Sequence, residues 1–196
     1  MVQEPIVETV AESAGGADLP GDAELVAAIN QGDHAAFETL YRRHRDWAVN
    51  LAFRFTADEA LALDVMQETF LYLLRKFPGF ELRAQLRTFL YPAVRNLSIA
   101  ARRKAGRCQA GPDEDDVFAR LPAPELAANG SDDLTVVLGC LTEEHREVLL
   151  LRFVDGLSLE EVSQAMNIPL GTVKSRLHNA LKLLREDPRT RELFGE

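Results

Sequence analysis

The chain has 196 residues, of which 46% are hydrophobic and 27% are charged, and its formal net charge is −9. These values are ordinary for a soluble globular protein of one or two domains. No apolar run approaches the roughly 18 residues of a membrane span, and residues 1–20 lack the features of a secretory signal. Two cysteines, Cys108 and Cys140, are too few for a disulfide framework or a Cys-only zinc site, and we expect both to be inert. A cytoplasmic protein is therefore expected.

The charge is distributed unevenly along the chain. Residues 1–35 contain seven acidic residues and no Lys or Arg, and residues 107–135 contain seven acidic and two basic residues. Between them, residues 36–106 contain twelve basic and seven acidic residues. Such a basic block is typical of a phosphate-binding surface, although a solvated helical surface explains the count equally well.

Composition divides the chain into two lobes and three connecting or terminal segments. Residues 1–21 are acidic and predict a disordered tail. Residues 106–133 contain three Pro and seven acidic residues, and they predict a flexible acidic linker with a short helical turn around Val117–Leu121. The lobes are then residues 22–105 and 134–187, and residues 188–196 form a C-terminal tail.

Four helices are predicted in the first lobe. Asp22 is expected to cap a short helix that runs through Ile29 and ends at Gly32. The other three helices each have an apolar stripe, and His44 on the first stripe is interpreted as a packed, hydrogen-bonded histidine. The stripes are Phe37, Leu40, Tyr41, His44, Ala48, Leu51, Ala52 and Phe55; Leu63, Met66, Phe70, Leu73, Leu74 and Phe77; and Leu86, Phe89, Leu90, Ala93, Val94 and Leu97. Strand-like alternation is absent, so the pattern predicts an all-α fold.

The third helix has a second face that the core does not explain. Its members repeat at helical spacing and mix charge with one apolar residue: Asp64, Gln67, Glu68, Leu71 and Arg75. An exposed Leu among charged residues suits a protein interface, while a solvated face is the alternative.

The fourth helix has a basic stripe that contains one aromatic residue. Its members are Arg87, Tyr91, Arg95, Ser98 and Arg102, followed by Arg103 and Lys104. Basic and aromatic side chains hold phosphates and stack on unpaired bases, so we favour nucleic-acid contact over a solvated face. The preceding loop, Phe80–Gln85, suits either a flipped base or packing on the lobe. Pro92 predicts a kink and not a helix end, because the apolar stripe continues beyond it.

The second lobe predicts a helix-turn-helix. Thr142 begins a helix through Val154, and a capping box from Ser158 to Glu161 begins a short helix that ends near Met166. After a turn at residues 167–170, a long helix has the apolar stripe Leu170, Val173, Leu177, Ala180, Leu181 and Leu184. Polar and basic residues on its other faces are typical of a recognition helix in the major groove, although other helical hairpins share this pattern.

The two lobes together resemble the extracytoplasmic-function group of bacterial sigma factors. Residues 64–104, DVMQETFLYLLRKFPGFELRAQLRTFLYPAVRNLSIAARRK, resemble the second conserved region of those factors. Residues 141–185, LTEEHREVLLLRFVDGLSLEEVSQAMNIPLGTVKSRLHNALKLLR, resemble the fourth. The resemblance implies an alternative sigma factor that binds core RNA polymerase, directs it to promoters and helps to melt the minus-ten element. It also implies no catalytic site, cofactor or metal.

The resemblance assigns residues to three binding roles. Core polymerase would be bound by Asp64, Gln67, Glu68 and Leu71. The minus-ten element would be bound by Phe80, Arg83, Arg87, Tyr91, Arg95, Asn96, Arg102 and Arg103. The minus-thirty-five element would be bound by Thr172, Lys174, Ser175, Arg176, His178 and Asn179. The family further implies control by an anti-sigma protein, and we expect no direct membrane insertion of this chain.

The sequence departs from the family pattern within the fourth helix. Phe89 stands where Trp is usual, Pro92 stands where a basic or small residue is usual, and Leu97–Ala101 lacks a common Asp. These departures concern the geometry of strand separation and not the class of protein.

Two other classes of function are alternatives to the sigma factor. A stand-alone regulator would bind operator DNA through its second lobe and would dimerise or sense a signal through its first. An enzyme is not expected, because the chain has no Walker loop, GxGxxG, HExxH or Cys–His constellation. Its four histidines, His34, His44, His145 and His178, are also scattered.

Overall fold

A computed structural model describes residues 20–109 and 137–190, apart from the side chains of 107–109. These ranges contain seven helices of eight or more residues: α1 Asp22–Asn30, α2 His34–Thr56, α3 Glu59–Leu74, α4 Leu86–Gln109, α5 Glu143–Phe153, α6 Leu159–Met166 and α7 Leu170–Glu186. The predicted all-α fold is therefore confirmed. The acidic tail, most of the linker with its helical turn around Val117–Leu121, the Cys108 side chain and the chain's last residues lie outside the described part.

Local cap chemistry starts most of the helices. Asp33 accepts hydrogen bonds from the first turn of α2, and Asp58 does the same for α3. Thr142 caps α5, as the sequence predicts. Ser158 and Glu161 form the predicted capping box of α6, in which each side chain accepts a hydrogen bond from the other residue's backbone N–H.

The prediction that Asp22 caps α1 is wrong. The cap is Gly21, whose N–H donates to Glu24, and Asp22 is the first residue of the helix. The Asp22 carboxylate instead accepts from Arg43 Nη1 at 2.7 Å and contacts His44 Nε2 at 2.8 Å. His44 is only 5% exposed, so its interpretation as a packed, hydrogen-bonded histidine is confirmed. The His44 hydrogen bond, more than any other interaction, lowers the pKa of Asp22, while partial burial acts in the opposite direction.

The apolar core is continuous between the two lobes. Leu40, Leu51 and Leu73 are buried between α2 and α3, and α4 adds Leu86, Leu90 and Val94 to the same cluster. Six residues of the second lobe also belong to this cluster: Val148, Leu151, Leu157, Val162, Ala165 and Val173. The helix-turn-helix of α6 and α7 therefore packs against the first lobe.

Two predicted core residues of α3 are exposed. Leu63 and Leu74 are 41% and 46% exposed, although the sequence pattern places them in the apolar stripe. Ala62, Val65 and Thr69 are buried instead, which shifts the buried face around the helix axis. The stripe was wrong at its edges because a helical repeat does not by itself fix how wide the covered face is.

The predicted exposed stripe of α4 also needs correction. Tyr91 is 1% exposed and Ser98 is fully buried. Tyr91 is covered by Glu147 of α5 and by the Phe55 ring of α2. The helix continues past Pro92 as predicted, and it reaches Gln109, four residues into the stretch assigned to the linker. None of the helices in residues 20–109 and 137–190 is long and apolar enough to cross a bilayer.

We predict that Asp22→Ala lowers the free energy of unfolding by about 1–3 kcal/mol, because it leaves a buried His44 nitrogen without a partner. Asp22→Asn should cost less, since the amide oxygen still accepts a hydrogen bond. The difference in free energy of unfolding between Asp22→Ala and wild type should narrow as pH falls below the ordinary Asp pKa of 3.8. A carboxyl with a lowered pKa stabilises the folded protein only in its ionised form. Urea unfolding followed by circular dichroism measures these changes.

Glu38→Ala is the control for this prediction. It removes an ion pair with Arg42 whose side chains are 60% and 71% exposed, so a loss of less than about 0.5 kcal/mol is expected. A loss as large as that of Asp22→Ala would contradict a special role for the buried pair.

Candidate nucleic-acid interface

An aromatic cluster supports the loop between α3 and α4. The Phe80 ring lies 5.5 Å from Phe77 and 4.7 Å from Phe89, measured between ring centroids. Phe89 in turn stacks on Tyr72 at 6.1 Å with the planes 16° apart, and Lys76 Nζ lies 4.7 Å from the centre of the Tyr72 ring. The loop is therefore held against the lobe on one side by contacts between aromatic rings.

Asn30, the last residue of α1, fixes the backbone of this loop. Its side-chain nitrogen donates to the Phe80 carbonyl at 2.8 Å, and its oxygen accepts from Gly79 N at 2.6 Å and from Phe80 N at 3.2 Å. Gly79 has a φ of 99°, a conformation that other residues adopt only with strain. The sequence pattern did not identify Asn30, because a polar residue at a helix end is equally typical of a cap.

A cavity of about 720 Å³ opens beside the aromatic cluster. Three predicted minus-ten residues, Phe80, Arg83 and Asn96, line it together. Tyr72 and Phe89 supply aromatic wall, and Gln164 of α6 reaches the same cavity from the second lobe. A concave site with aromatic walls and a few polar groups is suited to a planar base.

The basic stripe of α4 is occupied by the second lobe. Arg87 Nη1 donates to the Asp155 carbonyl at 3.0 Å, and Arg95 Nε donates to Glu147 Oε1 at 3.1 Å. The Tyr91 hydroxyl donates to the same Glu147 oxygen. Of the remaining predicted residues, Arg102 donates to the Phe55 carbonyl within the first lobe, and Arg103 is exposed.

Asp155 is the centre of this contact. Trp47 Nε1 donates to its Oδ1 at 2.8 Å, and Arg54 Nη2 donates to Oδ1 at 2.7 Å and to Oδ2 at 2.8 Å. The sequence pattern missed Asp155, which was interpreted only as part of a helix stop, and it missed Arg54. Trp47 gave a usable signal, because it lies three residues after His44 on a buried helix and a buried indole N–H needs an acceptor.

Glu147 is the second acidic residue at this contact. Tyr91 and Arg95 face it from α4, Arg54 from α2 and Arg176 from α7. Burial raises the pKa of Glu147 to about 7, although the Arg176 and Arg54 charges act to lower it. The carboxyl therefore changes its charge near neutral pH while it lies between the lobes.

The predicted minus-thirty-five residues lie at the start of α7. Lys174, Ser175, His178 and Asn179 are exposed, and Thr172 is half-buried. Arg176 forms an ion pair with Glu144 of α5, with 2.7 Å between Nη2 and Oε2. These residues therefore present a polar and basic surface at the beginning of the second helix of the helix-turn-helix.

The predicted polymerase-binding residues form an exposed ridge on α3. Asp64, Gln67, Glu68 and Leu71 are all exposed, and Leu71 is flanked by the exposed Leu63 and Leu74. The ridge is thus more apolar than the sequence pattern indicated. Among the described residues, no three His, Cys, Asp or Glu side chains are grouped so that they would hold a metal ion.

Known proteins match both lobes. Residues 40–108 match Sigma-70 region 2, and residues 137–186 match Sigma-70, region 4. Over 167 residues the chain is 32% identical to the ECF RNA polymerase sigma factor SigL of Mycobacterium tuberculosis. The match covers 82% of this chain and 93% of that protein. The chain belongs to the ECF RNA polymerase sigma factors. It is therefore an alternative sigma factor, a transcription initiation factor that directs RNA polymerase.

Other ECF sigma factors are also similar to this chain, and two solved structures share its fold. SigE of Mycolicibacterium smegmatis is 33% identical over 172 residues, covering 85% of this chain and 66% of that protein. SigW of Bacillus subtilis is 28% identical over 177 residues, covering 84% and 95%. The fold matches CnrH, solved with the cytosolic domain of CnrY, at a TM-score of 0.60, with 24% identity over 84% of this chain and 94% of that chain. It also matches RpoE of Bartonella quintana, solved with the anti-sigma factor NepR, at a TM-score of 0.59. That match has 22% identity and covers 81% of this chain and 96% of that chain.

We predict that the contact between the lobes of this sigma factor weakens as pH rises. Glu147 has a pKa of about 7 in the packed state and an ordinary value of 4.5. The packed state therefore binds the proton more tightly, so the contact is strongest below the ordinary pKa and is weakened as pH rises through about 7. Trp47, the chain's one tryptophan, reports the contact by its fluorescence emission, which should shift to the red between about pH 5 and pH 8.

Glu147→Gln tests the assignment of this titration. Its amide oxygen still accepts from Tyr91 but does not ionise, so the emission of the variant should be independent of pH in this range. A variant with the same pH profile as wild type would show that another group titrates.

Proposed function

We propose that this sigma factor uses three surfaces to recruit core RNA polymerase, melt the minus-ten element and recognise the minus-thirty-five element. The observation that carries the proposal is the aromatic-walled cavity beside basic α4, in a chain that also has a helix-turn-helix with an exposed second helix. We also propose that the two lobes, residues 22–105 and 134–187, are the two domains of the protein.

Core polymerase binds the ridge on α3. Exposed Leu63, Leu71 and Leu74 supply apolar area, and Asp64 and Glu68 border it with negative charge. Apolar residues within a charged rim are typical of protein interfaces. Gln67, between the two sets, is available to hydrogen-bond the partner.

The minus-ten element is opened by binding energy and not by a catalytic step. A base that leaves the duplex enters the cavity lined by Phe80, Arg83 and Asn96, and the adjacent strand follows α4. Arg87, Tyr91, Arg95, Arg102 and Arg103 would hold that strand. Because these contacts exist only with the separated strand, they shift the equilibrium towards the melted promoter.

The minus-thirty-five element is recognised by α7. Entry of its first turns into the major groove would bring Thr172, Lys174, Ser175, Arg176, His178 and Asn179 to the DNA. Arg176 is suited to bidentate recognition of a guanine. Its ion pair with exposed Glu144 orients the guanidinium, and 22% of the Arg176 side chain is exposed.

We propose that the protein acts in the bacterial cytoplasm, because it would bind promoter DNA and core polymerase there. A protein of the anti-sigma class is the proposed regulator. CnrH and RpoE, whose folds this chain shares, were both solved as complexes, the first with the cytosolic domain of CnrY and the second with an anti-sigma factor.

We predict that Asp64→Arg with Glu68→Arg reduces binding to core RNA polymerase by at least about tenfold, because charge reversal opposes a complementary partner surface. Pull-down of core polymerase measures this, and circular dichroism checks that the helices persist. The matched control reverses Glu38 and Asp46, two exposed acidic residues on α2. An equal loss of polymerase binding in both double variants would exclude the α3 ridge from the polymerase interface. Failure of the unaltered protein to bind polymerase would point to a stand-alone regulator.

We predict that Arg176→Ala changes promoter preference, with about 1–3 kcal/mol of discrimination lost at the base pair that it contacts. Transcription by the reconstituted holoenzyme from a promoter library provides the measurement. Lys182→Ala is the control, since Lys182 lies farther along α7, where it pairs with Glu186. An unchanged preference would exclude Arg176 from base recognition.

A further inference from the structure

A carboxylate of the second lobe lies in a set of donors that belong to the first lobe. The Asp155 side chain is 2% exposed and accepts from the indole of Trp47 and the guanidinium of Arg54. Arg54 itself is 16% exposed, and its ion-pair partner within the described ranges is Asp155. The first lobe thus contains an anion-binding site that an internal carboxylate fills.

Arg87 completes this site from α4. It donates to the Asp155 carbonyl, and its guanidinium lies over the Trp47 ring at 5.7 Å from the ring centre. The indole therefore orients Arg87 on one side and donates to the anion through Nε1. Two guanidinium groups with an additional N–H donor suit a phosphate as well as a carboxylate.

The second carboxylate repeats the arrangement farther along α4. Glu147 accepts from Tyr91 and Arg95, which follow Arg87 at four and eight residues. Two carboxyl groups of the second lobe are therefore spaced along the helix face to which the proposed function assigns the promoter strand. A nucleic acid strand has phosphates at regular intervals, and such a strand would need these same donors.

We propose that Trp47, Arg54 and Arg87 form a binding site for a backbone phosphate of the promoter strand. Asp155 occupies this site in the closed chain, the state in which the second lobe packs on α2 and α4. The inference rests on the proposed function of α4 and adds Trp47 and Arg54 to its residues. The phosphate and Asp155 exclude each other, so strand binding requires the second lobe to leave α4. Glu147 blocks Tyr91 and Arg95 in the same way.

Exclusion of this kind has a quantitative consequence. The apparent dissociation constant of a ligand rises in inverse proportion to the fraction of protein in the competent state. If the closed chain predominates, a change that opens it increases affinity for the strand without adding any contact. Once the chain is open, loss of a donor from the phosphate site lowers the affinity for the strand.

Asp155→Ala in the full-length protein is the first test. The probe is a short fluorescein-labelled single-stranded DNA pool of random sequence, and its anisotropy measures binding at constant salt. We expect the Trp47 emission to shift to the red and the affinity to rise at least about tenfold. Glu160→Ala, an equal charge change at an exposed position of α6, is the control and should leave both unchanged. Asp155→Asn replaces the alanine variant if circular dichroism shows that the latter is unfolded.

Arg54→Gln in the Asp155→Ala background then separates a phosphate site from a contact that only closes the chain. The double variant should bind the strand about tenfold more weakly than Asp155→Ala, and its logarithmic salt dependence should decrease by about one phosphate contact. Arg42→Gln in the same background is the control, because Arg42 is an exposed arginine on the same helix. If the contact of Arg54 with Asp155 has no role in DNA binding, Arg54→Gln should leave the affinity for the strand unchanged.

The outcomes distinguish this inference from the proposed function. Loss of affinity with Arg95→Ala but not with Arg54→Gln, both in the Asp155→Ala background, would overturn the phosphate site and leave the proposed function in place. An Asp155→Ala protein that opens without any gain in affinity would overturn the exclusion. Absence of strand binding by every variant, also in complex with core polymerase, would overturn the proposed function of α4 and the inference with it.

Discussion

The burial of Asp155 sets the relation between the two lobes. A carboxylate that is almost fully enclosed persists only when its charge is balanced and its lone pairs are satisfied. Every side chain that hydrogen-bonds this carboxylate comes from α2 of the first lobe, and Arg87 of α4 adds a bond to its carbonyl. The contact therefore fixes the position of α5 against these two helices. The position of the helix-turn-helix that follows, and of Gln164 beside the aromatic cavity, depends on it.

This constraint gives α4 two incompatible partners. The apolar side of the helix is committed to the first lobe through Leu86, Leu90 and Val94. Its basic side has donors that an anion must satisfy, and either the carboxylates of the second lobe or the phosphates of DNA fulfil that requirement. The net negative charge of the chain is consistent with this arrangement, because its own acidic residues cover part of its basic surface. The exposed residues of the α3 ridge take no part in this competition, whereas Arg176 of α7 faces Glu147 at the contact.

Local sequence signals predicted much of the fold. The caps at Thr142 and Ser158 and the termination of α6 near Met166 depend on residues three or four positions apart, so they are legible without tertiary information. The errors occurred where local chemistry had two solutions. Asp22 has the side chain of a helix cap, but His44 and Arg43, which are distant in sequence, bind it instead. Leu63 and Leu74 lie at the edge of an apolar stripe, where only the neighbouring helix decides which residues are covered.

The sequence by itself determined the all-α class, the family, and the helix faces that carry charged or polar residues outside the apolar stripes, because helical periodicity and short motifs encode these features directly. Only the tertiary structure decided what those faces contact. The pairs Trp47–Asp155 and Tyr91–Glu147 join residues 108 and 56 positions apart, and no local pattern records such a separation. Burial of a tyrosine within a basic stripe and the raised pKa of Glu147 follow from the packing of one lobe on the other. These properties arise from desolvation, which depends on every surrounding atom and not on the neighbouring residues in the chain.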